Sequence, residues 1–179
     1  MKYYIRLGGI LFLIASIATG LLSFVNSFTA PVVSKNQKNE ENAARISVLP
    51  IAEDFEEKVI KGFKFNIGKK DNQIVGYTFI SSGVGYSSTI KTMVGVDTEF
   101  VIKNIEIIFQ AETPGLGANA VNNDFKSQFI GKDQNSVLLT KDGGDVQAIT
   151  GATITSAAIV NSINQDIEKL KQVYYEVGE

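Results

Sequence analysis

Residues 63–80 read FKFNIGKKDNQIVGYTFI, and this stretch decides the fold. Its first half alternates apolar with polar side chains, at Phe63, Phe65 and Ile67, which is the period of a half-buried strand. Residues 69–72 supply turn-forming side chains, and residues 74–80 return to an apolar pattern. The stretch therefore predicts a β-hairpin, and with it an antiparallel sheet.

More strands are predicted on the C-terminal side of the hairpin. Residues 90–96 and 101–109 are apolar runs joined around the polar residues 97–99. Residues 81–88 are rich in serine and glycine and are predicted as a flexible polar loop. A further short strand is predicted at residues 136–140.

Two helices are predicted after the strands. Residues 123–130 have Phe125 and Phe129 four positions apart, on one side of a short helix. Residues 156–175 carry an apolar stripe that we expect to lie on the sheet: Ile159, Val160, Ile163, Ile167, Leu170 and Tyr174. The predicted fold class is α+β, with an N-terminal transmembrane helix and an antiparallel-sheet domain on which the C-terminal helix packs.

The N-terminus is predicted to be a membrane anchor. Lys2 and Arg6 precede an uncharged run over residues 7–28, which reaches roughly 30 Å as a helix and can span a bilayer. A cleaved signal peptide is the alternative, with residues 27–30 an imperfect cleavage site, but the run is longer than a signal core. The positive-inside rule predicts a single pass through the inner (cytoplasmic) membrane, with the N-terminus in the cytoplasm.

The chain is predicted to have three parts. Residues 1–30 form the anchor, and residues 31–60 form a juxtamembrane stalk. Within the stalk, residues 37–49 are predicted to be a helix that Pro50 ends. Residues 61–179 form the extracytoplasmic domain.

Composition excludes several kinds of chemistry. The 179 residues include no cysteine and no histidine, which excludes disulfides, thiolate or imidazole metal sites and the Ser-His-Asp triad. The pI of 5.3 argues against a nucleic-acid partner. Any chemistry therefore requires a bound cofactor or carboxylates alone, and no catalytic residue and no metal site is predicted.

Two unusual loops are the candidate site. Residues 150–156, TGATITS, combine a glycine, an alanine and four hydroxyl side chains before the last helix. The hydroxyls are able to cap that helix, and its N-terminus is also suited to a phosphate. Residues 112–117, ETPGLG, predict a type II turn with Pro114 second and Gly115 at positive φ. A plain turn leaves the following leucine and glycine unexplained, whereas a backbone folded against a flat ligand accounts for them.

Together these motifs resemble a known family. The chain resembles the G subunit of the Rnf ion-translocating electron-transport complex, whose relative is the C subunit of the sodium-pumping NADH:quinone oxidoreductase. The resemblance covers nearly the whole chain through its anchor and five segments: Val48-Leu49-Pro50, Gly85-Tyr86-Ser87-Ser88, Met93-Val94-Gly95-Val96-Asp97, residues 112–117 and residues 150–153.

The resemblance implies FMN joined to a threonine through a phosphoester, installed by a flavin transferase. Carried over to this chain, the attachment residue is Thr153. The remaining predicted cofactor-binding residues are Thr150, Gly151, Ala152, Thr155, Glu112, Thr113, Pro114, Gly115, Leu116, Gly117, Gly85, Tyr86 and Ser87. Thr155 is expected to cap the helix. Two positions depart from the family pattern: Gln147 replaces an aspartate, and Gln110 and Ala111 stand where a histidine is common.

The implied function is electron transfer. The chain is expected to relay electrons through covalent FMN in a membrane-bound ferredoxin:NAD oxidoreductase, with the other membrane subunits as partners. Two alternatives remain: the equivalent flavin subunit of a sodium-pumping NADH:quinone oxidoreductase, and a non-redox membrane-anchored interaction module.

Overall fold

The computed structural model describes residues 2–177, and it has the predicted α+β fold. In chain order its helices and strands are α1 (Lys2–Val48), β1 (Asp54–Ile60), β2 (Phe63–Lys70), β3 (Gln73–Val84), β4 (Thr89–Val96), β5 (Ile102–Phe109), α2 (Asn123–Lys126) and α3 (Thr153–Val177). Short 3₁₀ turns occur at Gly117–Val121, Ser127–Phe129 and Thr140–Asp142.

The chain divides into two compact units, Met1–Glu40 and Glu41–Glu179. The first unit consists of the N-terminal part of α1. Within residues 2–177, α1 is the one helix that is long and apolar enough to cross a membrane.

The helix α1 is longer than the sequence predicts. It continues through Pro31 to Val48, where two separate segments, 7–28 and 37–49, were expected. Its last turns also belong to the folded second unit. Ala44 and Val48 are buried against Met93, on the face of the sheet opposite α3. The predicted stalk helix therefore ends within the folded unit, because its apolar side chains Ala44 and Val48 pack against this face of the sheet.

The sheet is a five-stranded meander in the order β1 to β5, with each neighbouring pair antiparallel. The predicted hairpin is confirmed as β2 and β3. Its turn residues Asp71 and Asn72 have φ of 49° and 62°, as a two-residue type I′ turn requires. The strands predicted at residues 90–96 and 101–109 are confirmed as β4 and β5.

Two parts of the sheet differ from the prediction. No strand was expected before residue 61, yet β1 pairs with β2 along its full length. Its sequence, DFEEKVI, lacks alternation because it is an edge strand, where charged side chains discourage pairing with another chain. Residues 81–84, expected in a loop, extend β3, so the loop between β3 and β4 is only residues 85–88.

Helix α3 covers one face of the sheet. Its predicted stripe is buried with Phe79 and Val94, although the last member, Tyr174, is exposed. The helix begins at Thr153, three residues earlier than expected. It therefore runs from the core directly to the hydroxyl-rich motif identified in the sequence.

The segment between β5 and α3 has little regular structure. Phe125 and Phe129 were predicted on one side of a single helix, but they lie on α2 and the following 3₁₀ turn. Both are buried, with ring centroids 5.4 Å apart. The strand predicted at residues 136–140 is wrong: an isolated bridge joins Leu139 and Val146. Burial of Leu139 explains the apolar pattern there.

Candidate functional site

The two loops singled out in the sequence meet at one cavity. Its volume is about 470 Å³, within the range of small-molecule sites. The cavity is lined by Tyr86, Glu112, Thr113, Leu116, Gly117, Gly151, Ala152, Thr153, Ile154 and Thr155. Every one of these residues except Ile154 was predicted from the sequence.

The first wall is the turn that begins at Glu112. The Leu116 N–H donates to the Thr113 carbonyl at 3.1 Å, and Gly115 has φ of +78°, so the predicted type II turn is confirmed. Gln110 holds the entry to the turn, because its side-chain oxygen accepts the Glu112 N–H at 2.8 Å. Leu116 is exposed and lines the cavity.

The second wall is the start of α3. Gly151 has φ of +74°, and the Ala152 N–H closes a turn onto the Ile149 carbonyl at 2.9 Å. Ser156 fixes this turn from inside the helix. Its hydroxyl donates to the Ala152 carbonyl at 3.0 Å and accepts the Ile149 N–H at 2.9 Å. The hydroxyl that holds the helix start is thus that of Ser156.

The expectation that Thr155 caps the helix is wrong. Thr155 is the third residue of α3, and its hydroxyl donates to Glu112 Oε2 at 2.7 Å. The side chain points away from the helix backbone because a buried carboxylate lies within reach. This contact joins residues 43 positions apart and connects the two walls of the cavity.

Glu112 also holds the loop between β3 and β4. Its Oε1 accepts the Ser87 N–H at 2.9 Å, the Ser88 N–H at 2.8 Å and the Ser88 hydroxyl at 3.0 Å, while Oε2 accepts the Tyr86 N–H at 3.2 Å. Burial raises the pKa of Glu112, but these hydrogen bonds outweigh it and bring the pKa down to about 2. The carboxylate is therefore ionised at neutral pH.

Five predicted site residues lie outside the cavity lining. Gly85 and Ser87 lie behind Glu112, since a Cβ at Gly85 would stand 2.7 Å from Glu112 Oε1. Pro114 belongs to the turn without lining the cavity. Thr150 and Gly115 line a neighbouring, more open cavity instead.

The four hydroxyls of residues 150–156 differ in accessibility. Thr153 is exposed and lines the cavity, whereas Thr150 is exposed outside it. Thr155 is 1% exposed, and Ser156 is fully buried. Among the four, Thr153 has the one hydroxyl-bearing side chain that is both exposed and part of the cavity.

Thr153 also stands at a favourable place for a negative group. It is the first residue of the 25-residue helix α3. The first N–H groups of a helix have no intrahelical partner, and the macrodipole is positive there. A phosphate attached at this position would be stabilised by both effects.

Ile154 is a cavity residue that was not predicted from the sequence. Its side chain is 56% exposed and lines the cavity beside Tyr86 and Leu116, two other exposed apolar side chains. Its position off the buried stripe of α3 was the available signal. These three side chains give the cavity an apolar rim suited to an aromatic ring system.

Two family models match the chain. The model described as FMN-binding domain matches residues 85–168, which contain the whole cavity lining. The model described as RnfG N-terminal region matches residues 2–47, nearly all of α1.

Curated relatives extend over almost the full length. A protein of Acetobacterium woodii, named as the G subunit of the Na(+)-translocating ferredoxin:NAD(+) oxidoreductase complex, is 35% identical, covering 93% of this chain and 91% of the relative. A protein of Methanosarcina acetivorans, named as the G subunit of an ion-translocating oxidoreductase complex, is 30% identical, covering 87% and 88%. Among solved structures, the C subunit of the Na(+)-translocating NADH-quinone reductase from Parabacteroides distasonis has the same fold, with a TM-score of 0.57 at 18% identity over 74% of this chain and 91% of that one.

Proposed function

Because this chain belongs to the family of G subunits of ion-translocating Rnf oxidoreductase complexes, we propose that it is an electron-transfer flavoprotein subunit of such a complex. It carries FMN joined to Thr153 by a phosphoester. The bound FMN supplies the redox chemistry, and the chain binds and orients it. The other subunits of the complex supply and remove the electrons.

The observation that carries this proposal is the accessibility of Thr153. An attachment residue must offer its hydroxyl both to the enzyme that modifies it and to the cavity that receives the cofactor. Thr155 and Ser156 are buried and hydrogen-bonded within the protein, and Thr150 lies outside the cavity. Thr153 alone among the four meets both conditions.

The surroundings of Thr153 fit FMN. The helix start favours the phosphoester charge, and the apolar rim of Tyr86, Leu116 and Ile154 offers contact area to a flat ring. Thr113 and the backbone of Gly151 add polar groups to the lining. Since the chain has no histidine or cysteine, a threonine phosphoester is a linkage that this composition permits.

We further propose that α1 anchors the protein in the cytoplasmic (inner) membrane. Residues 1–30 form the anchor with its N-terminus inside, because Lys2 and Arg6 precede the uncharged run. The FMN-binding domain is extracytoplasmic and lies within the unit Glu41–Glu179. The partners are the other membrane subunits and, during maturation, a flavin transferase.

The assignment to an Rnf complex is preferred over the C subunit of a sodium-pumping NADH:quinone oxidoreductase. The relatives that are 35% and 30% identical over nearly the whole chain are both named as G subunits. The solved C subunit, at 18% identity, supports a shared fold. The alternative of a non-redox interaction module leaves the match of residues 85–168 to the FMN-binding domain model unexplained.

The experiment is coexpression of the full chain with a flavin transferase. Wild type should give a fluorescent band on a denaturing gel and an FMN-phosphate mass on the peptide that contains Thr153. Thr153→Ala should remain folded and lose both signals. Thr155→Val, which keeps the side-chain shape, should still carry covalent FMN. Thr153→Ser keeps the hydroxyl and removes the methyl group, so the amount of covalent FMN it carries shows whether the transferase requires that methyl group.

Two results would refute parts of this proposal. An unlabelled wild-type protein in the presence of active transferase would remove the flavoprotein function. Labelling of Thr150 or Thr155 in wild type would move the attachment while leaving the flavoprotein function in place.

A further inference from the structure

Glu112 lines the cavity, yet it uses its hydrogen-bonding capacity within its own chain. Its two oxygens accept five hydrogen bonds, from the N–H groups of Tyr86, Ser87 and Ser88 and from the hydroxyls of Ser88 and Thr155. A carboxylate has about four lone-pair sites, so it has none left for donors of a ligand. This differs from the sequence expectation that Glu112 binds the cofactor directly.

These five bonds join three segments that are distant in sequence. The loop at residues 85–88 carries Tyr86, the turn at residues 112–117 carries Leu116, and the start of α3 carries Thr153. Each segment supplies part of the cavity lining, and each is bonded to the same carboxyl group or contains it. The relative position of the walls therefore depends on one side chain.

The charge of Glu112 is not neutralised by these contacts. All five groups that donate to it are uncharged, and the residue is only 6% exposed, so solvent screens it weakly. With a pKa of about 2, the group stays ionised throughout the physiological range. A fixed negative charge in the lining opposes the addition of electrons to any group bound in the cavity.

We propose that Glu112 is the positioning residue of this site, which holds the Tyr86 wall against the start of α3 and lowers the midpoint potential of the bound flavin. The claim about the midpoint potential rests on the proposed function, because the potential is that of FMN on Thr153. The claim that Glu112 positions the cavity walls concerns the protein alone and is testable without FMN.

The test uses full-length protein with and without coexpressed flavin transferase. Glu112→Gln keeps the size of the side chain and removes its charge, and Thr155→Val removes one donor while keeping the charge. Glu57→Gln is the matched control, since Glu57 lies on edge strand β1 with a side chain that is 53% exposed. Three quantities are measured: covalent FMN by intact mass, midpoint potential by spectroelectrochemical titration, and amide hydrogen exchange of residues 86–88 in FMN-free protein.

Glu112→Gln should shift the midpoint potential to more positive values. The shift should be the same at mildly acidic and mildly alkaline pH, because Glu112 does not titrate there. The carboxamide keeps one acceptor oxygen, so its NH₂ deprives either the Tyr86 N–H, which is bonded to Oε2, or the Ser87 and Ser88 N–H groups, which are bonded to Oε1. Amide exchange should be about tenfold faster at the N–H groups that lose their acceptor. Thr155→Val should speed exchange with a smaller change of potential, and Glu57→Gln should change neither quantity.

Each contrary result is informative. A labelled Glu112→Gln protein with wild-type potential and wild-type exchange overturns the inference and leaves the proposed function intact. If Glu112→Gln does not fold, Thr155→Val decides: faster exchange supports the positioning role, and wild-type exchange overturns it. If wild type carries no FMN, the proposed function fails, while the exchange measurement still tests the positioning role.

Discussion

Replacing Gly117 by alanine tests how closely the two walls of the cavity pack. A Cβ at this position would stand 2.6 Å from Thr155 Oγ1, 2.8 Å from Glu112 Cβ and 2.8 Å from Glu112 Oε2. Non-bonded carbon atoms normally approach to about 3.5–4.0 Å, so at least one of these groups must move by about 1 Å. Glu112 Cβ is close to the backbone and cannot swing away. The atoms that are able to move are Thr155 Oγ1 and Glu112 Oε2, at the ends of their side chains. Because these two atoms form the Glu112–Thr155 hydrogen bond, we expect that bond to break.

The expected loss of stability follows from two effects. Overpacking of a filled site costs about 1–3 kcal/mol, and loss of a hydrogen bond to a charged group costs about 1.5–3 kcal/mol. The two overlap because the same displacement causes both. Alanine also restricts the unfolded chain, which offsets about 0.5 kcal/mol. We expect Gly117→Ala to lower the free energy of unfolding by about 3 kcal/mol.

Gly115→Ala is the matched control in the same turn. Gly115 has φ of +78° and open space around its Cβ position, so alanine there meets only backbone strain. That strain costs about 1 kcal/mol. The pair thus separates a conformational requirement for glycine from a spatial one.

The assay is urea unfolding of the full-length protein in detergent, followed by near-UV circular dichroism of the tyrosines, which include the buried Tyr77. Gly117→Ala should also speed amide exchange at residues 86–88, whereas Gly115→Ala should not. If Gly117→Ala costs no more than Gly115→Ala and leaves exchange unchanged, then the packing of Gly117 against Glu112 and Thr155 is not as described.

Three further outcomes are expected. The pKa of Glu112 is about 2 in the folded protein, against 4.5 for a free side chain, so the stability that this carboxylate contributes is present above pH 4.5 and is lost as the pH falls towards 2. The free energy of unfolding of Glu112→Gln, measured in urea, should therefore depend less on acid pH than that of Glu57→Gln. An equal pH dependence of the two variants would contradict the hydrogen bonds assigned to Glu112. Phe129 is 0% exposed, so Phe129→Ala should cost about 3–5 kcal/mol, and a loss below 1 kcal/mol in the same assay would be inconsistent with a core position. Protease added outside right-side-out spheroplasts should digest the chain beyond about residue 33, and a protected C-terminal domain would reverse the proposed orientation.

Local patterns were sufficient for most of the fold. The hairpin of β2 and β3 was predictable because side-chain alternation and the Asp71-Asn72 turn act between close neighbours in sequence. Strand β1 was not predictable, since its charged residues become a strand only by pairing with β2. The burial of Val48 was missed for the same reason, because the face that covers it comes from β4, about one quarter of the chain later.

The candidate site shows the same division. By itself, the sequence determined the apolar run that is long enough to span a membrane, the strand and helix periods and the two glycine-hydroxyl loops, because each depends on residues close to one another in sequence. The tertiary structure alone decided which of the four neighbouring hydroxyls is accessible. The Thr155 hydroxyl is buried and donates to a carboxylate 43 residues away, whereas Thr153 is exposed. It also decided that the Glu112 carboxylate accepts five hydrogen bonds from its own chain. Contacts of that kind arise from packing between distant segments, which the order of residues along the chain does not reveal.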